Sequence, residues 1–173
     1  MKKKAKPVKK ASLTKKVTPV PRGYHTVTPY LTVRGAAEAI DFYKRALGAK
    51  EKTRMPGPDG KSVMHAELKI GDSILMLSDE LPMSSCKAPT TLGGATAMVF
   101  LYVPNVDAAF KRAEDAGCKV VRPLVDMFWG DRYGQLEDPF GNQWGLATHK
   151  EDVTPEEMGR RAQAWMAQMA GKS

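Results

Sequence analysis

Apolar residues along this chain follow two periods in alternation. A period of two runs through residues 27–33 and again through 98–103, which predicts two strands. A helical period follows each strand. Its positions are Ala36, Ala39, Ile40, Tyr43 and Leu47 in the first stretch and Val106, Ala109, Phe110, Ala113 and Gly117 in the second. The spacing is the same in both, so the sequence predicts one structural unit that occurs twice, with Leu31-Thr32-Val33 matching Leu101-Tyr102-Val103.

Three further short strands fit the rest of each half. The predicted ranges are 50–54, 62–70 and 73–78 in the first half, and 119–124, 135–137 and 143–148 in the second, with an irregular segment over 125–134. Gly71-Asp72 predicts a tight hairpin, and Asp138-Pro139-Phe140-Gly141 has the residue order of a type I turn. The expected fold class is therefore α+β, with two βαβββ modules forming a concave mixed sheet. We expect the helices outside and the strand faces around a cleft.

Composition changes along the chain, which indicates five segments. Thr154-Pro155-Glu156-Glu157 is typical of a helix N-terminus and predicts a final helix, whose apolar positions form a stripe. The predicted segments are a disordered Lys-rich tail (1–22), a first βαβββ module (23–80), a linker (81–96), a second βαβββ module (97–150) and a C-terminal helix (151–173).

The net charge of +8 comes from the tail. Residues 1–16 hold eight lysines and no acid, which leaves the rest of the chain with 19 basic and 19 acidic residues. A nucleic-acid reader needs its basic stripe on the folded body, so we interpret the tail as a solubilising extension, with weak polyanion or nucleic-acid binding as the alternative. Two cysteines, no long apolar run and no signal peptide favour a cytoplasmic protein without membrane contact.

Three motifs stand out within the two modules: Leu-Thr-Val-Arg-Gly-Ala-Ala-Glu-Ala-Ile-Asp-Phe-Tyr at 31–43, Phe-Trp-Gly-Asp-Arg-Tyr-Gly at 128–134 and Asp-Pro-Phe-Gly-Asn at 138–142. With the paired modules, they resemble the vicinal oxygen chelate superfamily, which includes glyoxalase I, bleomycin-resistance proteins and extradiol dioxygenases. The likeness covers roughly residues 25–150 and is greatest to the PhnB-type branch. It implies the glyoxalase/bleomycin resistance/dioxygenase fold, a small-molecule ligand and a homodimer that pairs or exchanges modules.

The resemblance also implies four metal-ligand positions, and these fall on Thr28, Met76, Met98 and Gly145. A catalytic divalent ion needs at least three charged or imidazole ligands. We therefore expect no cofactor at the usual site. A divalent metal remains the alternative, because His65 and Glu67 share one strand face and could form a triad with His25.

Ten residues are the candidate ligand-binding set: Tyr30, Thr32, His65, Glu67, Met76, Phe100, Tyr102, Trp129, Arg132 and Tyr133. The aromatic side chains could stack on a planar ligand while Arg132 and Tyr133 orient it. In the competing interpretation the tyrosines are core residues and Arg132 pairs with Asp138 or Glu137. Cys86 and Cys118 have no nearby histidine, which predicts unreactive thiols.

Three functions remain open at this point. The first is a metal-free small-molecule binder. The second is a metal-dependent lyase, isomerase or dioxygenase with a rearranged site around His65 and Glu67. The third is a polyanion-binding protein that acts through its lysine tail. Whether the protein is an enzyme stays undecided.

Overall fold

The computed structural model describes residues 17–82 and 84–170 of the 173-residue chain. The lysine tail over 1–16 lies outside the described residues, so the predicted disorder and polyanion binding of that segment stay predictions. Within the described part, no helix is both long and apolar enough to cross a membrane.

The elements follow the predicted repeat. In chain order they are β1 (Tyr30–Val33), α1 (Ala36–Leu47), β2 (Lys50–Pro56), β3 (Val63–Ile70), β4 (Ser73–Asp79), α2 (Pro89–Leu92), β5 (Met98–Tyr102), α3 (Val106–Ala116), β6 (Lys119–Asp126), β7 (Asp131–Glu137), β8 (Gln143–His149) and α4 (Pro155–Ala170). Each half is a βαβββ module with one four-stranded mixed sheet, ordered β1-β4-β3-β2 in the first and β5-β8-β7-β6 in the second. The α+β prediction with two modules and a C-terminal helix is confirmed.

Local signals set most of the boundaries. Gly48 and Gly117 end α1 and α3 in the left-handed region, with φ of 66° and 116°. β1 begins at Tyr30 and not at residue 27, because Pro29 has no N–H to donate to a strand ladder. At the start of α4, the Thr154 hydroxyl accepts a hydrogen bond from the Glu157 backbone N–H at 3.3 Å.

The predicted irregular segment over 125–134 is wrong. β6 continues to Asp126 and β7 already begins at Asp131, so only a tight turn separates them. The pattern is obscured because the register shifts on both sides of Arg122, next to Pro123. The turn needs a glycine at Gly130, where φ is 97° and an added Cβ would lie 2.1 Å from the Glu151 carbonyl oxygen.

One hydrophobic core joins the two modules. α1 and α3 pack against each other, and each also covers one side of its own sheet. Phe42 and Ala46 make a second buried flank on α1, beside the predicted stripe. On this flank Phe42 packs edge-on against Phe140, and Arg112 donates a hydrogen bond to the Ala46 carbonyl oxygen at 3.0 Å.

This packing changes the predicted relation of the modules. The helices lie between the two sheets, so the sheet sides opposite the helices point away from the shared core. A cleft enclosed by both sheets within one chain is therefore not formed. The sequence predicts only one apolar stripe on α1. The second buried flank, which packs against the other module and sets the helices between the sheets, is not part of that stripe.

Candidate functional site

The candidate residues fall on two separate sheet surfaces. We call the side of the first sheet opposite α1 the first face; it carries Tyr30, Thr32, His65, Glu67 and Met76. We call the side of the second sheet opposite α3 the second face; it carries Phe100, Tyr102 and Tyr133, with Trp129 in the preceding turn. Within one chain the structure brings each group together, but not the two groups to each other.

Four aromatic side chains on the second face form a continuous surface, which we call the aromatic wall: Phe100, Tyr102, Trp129 and Tyr133. Phe100 stacks on Tyr133 with ring centroids 5.4 Å apart and planes 5° from parallel. Tyr102 and Trp129 extend the surface at 5.1 Å from Phe100 and 6.0 Å from Tyr133. Phe100 is 39% exposed and Tyr102 is 66% exposed, so the wall offers aromatic surface to a ligand.

A buried carboxylate that sequence reasoning missed holds this wall in place. Asp131 is 3% exposed and accepts hydrogen bonds at 3.0 Å from the Tyr102 hydroxyl and from the Trp129 indole N–H. His149 Nδ1 lies 2.7 Å from the other carboxylate oxygen, and His149 Nε2 lies 3.0 Å from Asp152. The hydrogen bonds to Asp131 and Asp152 raise the pKa of His149, and the bond to Asp131 raises the pKa of Tyr102.

Arg132 points to the opposite side of the sheet from Tyr133, as successive strand residues must. Its guanidinium binds Asp107 at the start of α3, with Nη2 to Oδ1 at 2.7 Å, and lies 3.3 Å from Asp126. These partners replace the predicted Asp138 and Glu137. The hydrogen bond to Asp107 raises the pKa of Arg132. Arg132 therefore fixes β7 to α3 and supplies no atom to the second face.

The first face carries a hydrogen-bonded cluster centred on Glu67. Tyr24 donates its hydroxyl proton to one carboxylate oxygen, and His65 Nε2 lies 3.4 Å from the other. His65 Nδ1 in turn lies 3.2 Å from the Tyr30 hydroxyl. Lys52 Nζ sits 3.7 Å from Glu67 and 4.6 Å above the Tyr24 ring. The hydrogen bond from Tyr24, followed by the hydrogen bond from His65 and the charge of Lys52, lowers the pKa of Glu67 despite its partial burial.

Two cavities border these faces. One, of about 460 Å³, lies between the first face and the segment over 17–29, and its lining includes Tyr24, Thr28, Glu67 and Met76. Tyr24 lies in this segment without regular secondary structure, so no periodic signal could have identified it. The other, also about 460 Å³, is a largely apolar groove between the β3–β4 hairpin and β5.

The donor set at the four implied metal positions does not fit a divalent ion. The Thr28 hydroxyl donates to the His25 carbonyl oxygen at 3.0 Å, and the Tyr133 hydroxyl lies 3.7 Å from the Met98 sulfur. At Gly145 an added Cβ would stand 2.7 Å from the Phe100 ring and 3.2 Å from the Met98 sulfur. Aromatic and thioether groups thus fill the space that a ligating side chain would need.

The alternative triad gains no support either. Both ring nitrogens of His65 already face protein partners, Tyr30 and Glu67. Among the residues that the structure describes, no group of three or more His, Cys, Asp or Glu side chains is placed to hold a metal ion. No reaction step through a metal follows from these residues.

Two βαβββ modules, each with a four-stranded mixed sheet, define the class of α+β fold to which this chain belongs. The family model of the Glyoxalase/Bleomycin resistance protein/Dioxygenase superfamily matches residues 23–146, and the chain belongs to this family.

The chain is also similar to several individual proteins. An uncharacterized protein from Mycobacterium bovis is 45% identical over 135 residues, which covers 76% of this chain and 88% of the relative. Among solved structures, TnmS3, described as an antibiotic binding protein from Streptomyces sp. CB03234, is 26% identical with a TM-score of 0.54, covering 73% of this chain and 95% of that one. A PhnB protein from Bacillus cereus shares the fold at 20% identity and a TM-score of 0.52, over 72% of this chain and 99% of that one.

Proposed function

We propose that this protein binds a planar small molecule, without a metal, in a site completed by a second copy of the chain. The observation that carries the proposal is the aromatic wall, which lies exposed on a sheet face and is held by the buried Asp131. Aromatic rings bury large areas on stacking, and a planar ligand would cover Phe100 and Tyr102. The structural likeness to an antibiotic binding protein supports this class of function.

A second copy is the occupant that fits the open sheet edges. Within the described part of the chain the two sheets have four edge strands without an outer partner: β1, β2, β5 and β6. β1 and β5 are the edges that carry the exposed aromatic residues Tyr30, Phe100 and Tyr102. Unpaired edges beside exposed apolar residues are places where chains associate. A two-fold axis that places β1 of one copy beside β5 of the other would create two identical β1–β5 junctions. Each of these strands would then have a neighbour on its open side. It would also bring the first face of one copy opposite the second face of the other.

A mixed-dimer experiment tests the shared site. Tyr30→Ala disrupts the first face, and Tyr102→Ala disrupts the second; both side chains are exposed, so folding should be little affected. Equilibrium dialysis measures binding of two tricyclic probes, the cation proflavine and the anion anthraquinone-2-sulfonate. Leu92→Ala, at an exposed residue on α2, is the matched control.

We expect the unmodified protein to sediment as a dimer and to bind at least one probe. Each variant alone should bind poorly. Co-expressed in equal amounts, the two variants should regain about a quarter of the sites, because about half of the dimers are mixed and one of the two composite sites in each mixed dimer contains only intact faces. A monomer in solution, or mixed dimers no better than their parents, would refute the shared site. Failure of both probes to bind the unmodified protein would contradict the planar-ligand proposal itself.

A further inference from the structure

The direction of the hydrogen bonds on the first face follows from the chemistry of the carboxylate. An ionised Glu67 can only accept, so His65 must present its Nε2–H to it. A neutral imidazole has one N–H, which leaves Nδ1 as an acceptor, and the Tyr30 hydroxyl must donate to it. Tyr24 also donates to Glu67. Both phenols thus commit their single proton inward and present oxygen lone pairs outward.

The hydrogen bonds on the second face have the same direction, with the aromatic side chains as donors to a buried carboxylate. Asp131 receives the hydroxyl proton of Tyr102 and the indole proton of Trp129. The tyrosine oxygen can then only accept from a ligand, and the indole keeps only its π surface. The Tyr133 hydroxyl lies 3.7 Å from the Met98 sulfur, which is a weak acceptor.

We infer that the ligand of the proposed site is a planar molecule that supplies hydrogen-bond donors, and that an aromatic heterocycle protonated on a ring nitrogen and carrying amino groups is the class that fits. This inference rests on the proposed function. Phenol oxygens that can only accept, together with the π surfaces of the wall, match N–H groups and delocalised positive charge, since cations are attracted to aromatic faces. A ligand rich in carbonyl or sulfonate oxygens would set acceptor against acceptor, which is costly once water is excluded.

Two cations near these faces already have anionic partners. Lys52 lies against Glu67, and His149 lies between Asp131 and Asp152. Gln135 and Gln143 on the second face bond to each other, and Gln143 also donates to Glu137 at 2.7 Å. Their remaining amide protons, together with the hydroxyls of Thr32 and Tyr133, are donors with which an acceptor ligand could pair.

Three tricyclic probes separate charge, donors and shape. Proflavine is a planar cation with two amino groups, acridine orange is a similar cation whose amino groups are methylated, and anthraquinone-2-sulfonate is an anion that carries only acceptors. The assay runs at pH 8, because a protonated imidazole would donate from both nitrogens. We expect proflavine to bind more tightly than acridine orange by about fivefold, the effect of one net hydrogen bond, and anthraquinone-2-sulfonate to bind most weakly. Anthraquinone-2-sulfonate binding as tightly as proflavine would overturn the inference and leave the proposed function standing. If no probe binds, the proposed function fails first.

Glu67→Gln tests the polarity directly. The new amide oxygen can still accept from Tyr24, while its NH₂ donates to His65 Nε2. The imidazole then carries its proton on Nδ1 and donates to the Tyr30 oxygen, which turns the Tyr30 hydroxyl proton outward. We expect the affinity ratio of proflavine to anthraquinone-2-sulfonate to fall by about fivefold or more. An unchanged ratio, whether or not both affinities decline, would overturn the inference.

Glu67→Gln also removes a negative charge, and Tyr30→Phe separates the effect of this charge from the effect of the reversed hydrogen bond. Tyr30→Phe removes the phenol oxygen and keeps the ring, so proflavine should bind about fivefold more weakly. In the Tyr30→Phe background, Glu67→Gln should leave anthraquinone-2-sulfonate binding unchanged, since no hydroxyl remains to turn outward. An equal gain in both backgrounds would show that charge alone acts, and the hydrogen-bond argument would be wrong.

Discussion

The hydroxyl of Tyr43 joins the two modules, and removing it should measure how strongly they are held together. This hydroxyl donates to Asp138 Oδ2 at 2.7 Å and accepts from Asn142 Nδ2 at 3.1 Å. Tyr43 is fully buried and Asp138 is 3% exposed. Burial, followed by the charge of Asp138, raises the pKa of Tyr43 well above its usual value, so the phenol remains a donor.

Tyr43→Phe removes one oxygen atom and little else. The ring keeps its edge-on contacts with Trp144 at 5.3 Å and Phe140 at 6.1 Å, so no large cavity forms. Asp138 also keeps the Trp144 indole N–H at 2.9 Å. Two buried hydrogen bonds are lost: the bond to charged Asp138, worth about 1.5–3 kcal/mol, and the bond from Asn142, whose amide keeps its contact with Asp138 Oδ2 at 3.1 Å. We therefore expect the free energy of unfolding to fall by about 2 kcal/mol.

Urea unfolding followed by circular dichroism measures this change. At typical urea m-values of about 1–3 kcal/mol/M, the midpoint should fall by about 1 M with an unchanged slope. Tyr24→Phe is the matched control, because its hydroxyl also binds a carboxylate but lies at a half-exposed position, where solvent weakens the bond, and its loss should cost less stability. If Tyr43→Phe cost no more than Tyr24→Phe, the buried link between the modules would not be a major source of stability.

Three further predictions concern the rest of the molecule. Gly145→Ala places a methyl group against the aromatic wall and should lower the free energy of unfolding by about 1–3 kcal/mol in the same urea assay; full stability would contradict the packing described for it. Burial raises the pKa of Cys118 to about 12, so an aromatic disulfide reagent at pH 8 should titrate one thiol, Cys86, in the folded protein and two in denaturant. Because the pKa of His149 is raised in the folded protein, its protonated form stabilises the fold. This contribution is complete below pH 6.5, the pKa of the residue in the unfolded chain, and is lost as the pH rises through the pKa in the folded protein. His149→Gln should reduce the decline of the urea midpoint with rising pH above pH 6.5. An unchanged pH dependence would refute the linkage.

Local pattern was enough to predict the two modules. Helix stripes, terminal glycines such as Gly48, and the Asp138 turn act over a few residues, so they can be read without knowledge of the rest of the chain. The relation between the modules is not local. It depends on Phe42 packing against Phe140, and on a hydrogen bond between Tyr43 and Asp138 across 95 positions of sequence. No periodicity within either module specifies such a pair.

Treating residues 125–134 as irregular explains two errors at the candidate site: the ligand-orienting role predicted for Arg132 and the absence of Asp131 from the predicted set. Without a strand, no alternation applies to this segment, and Arg132 and Tyr133 receive the same predicted role. Once β7 begins at Asp131, a period of two places Asp131 and Tyr133 on the second face and sends Arg132 to the helix side. The carboxylate that orders the aromatic wall was thus detectable from the sequence. Recognising it required the start of a strand that the register shift beside Pro123 conceals.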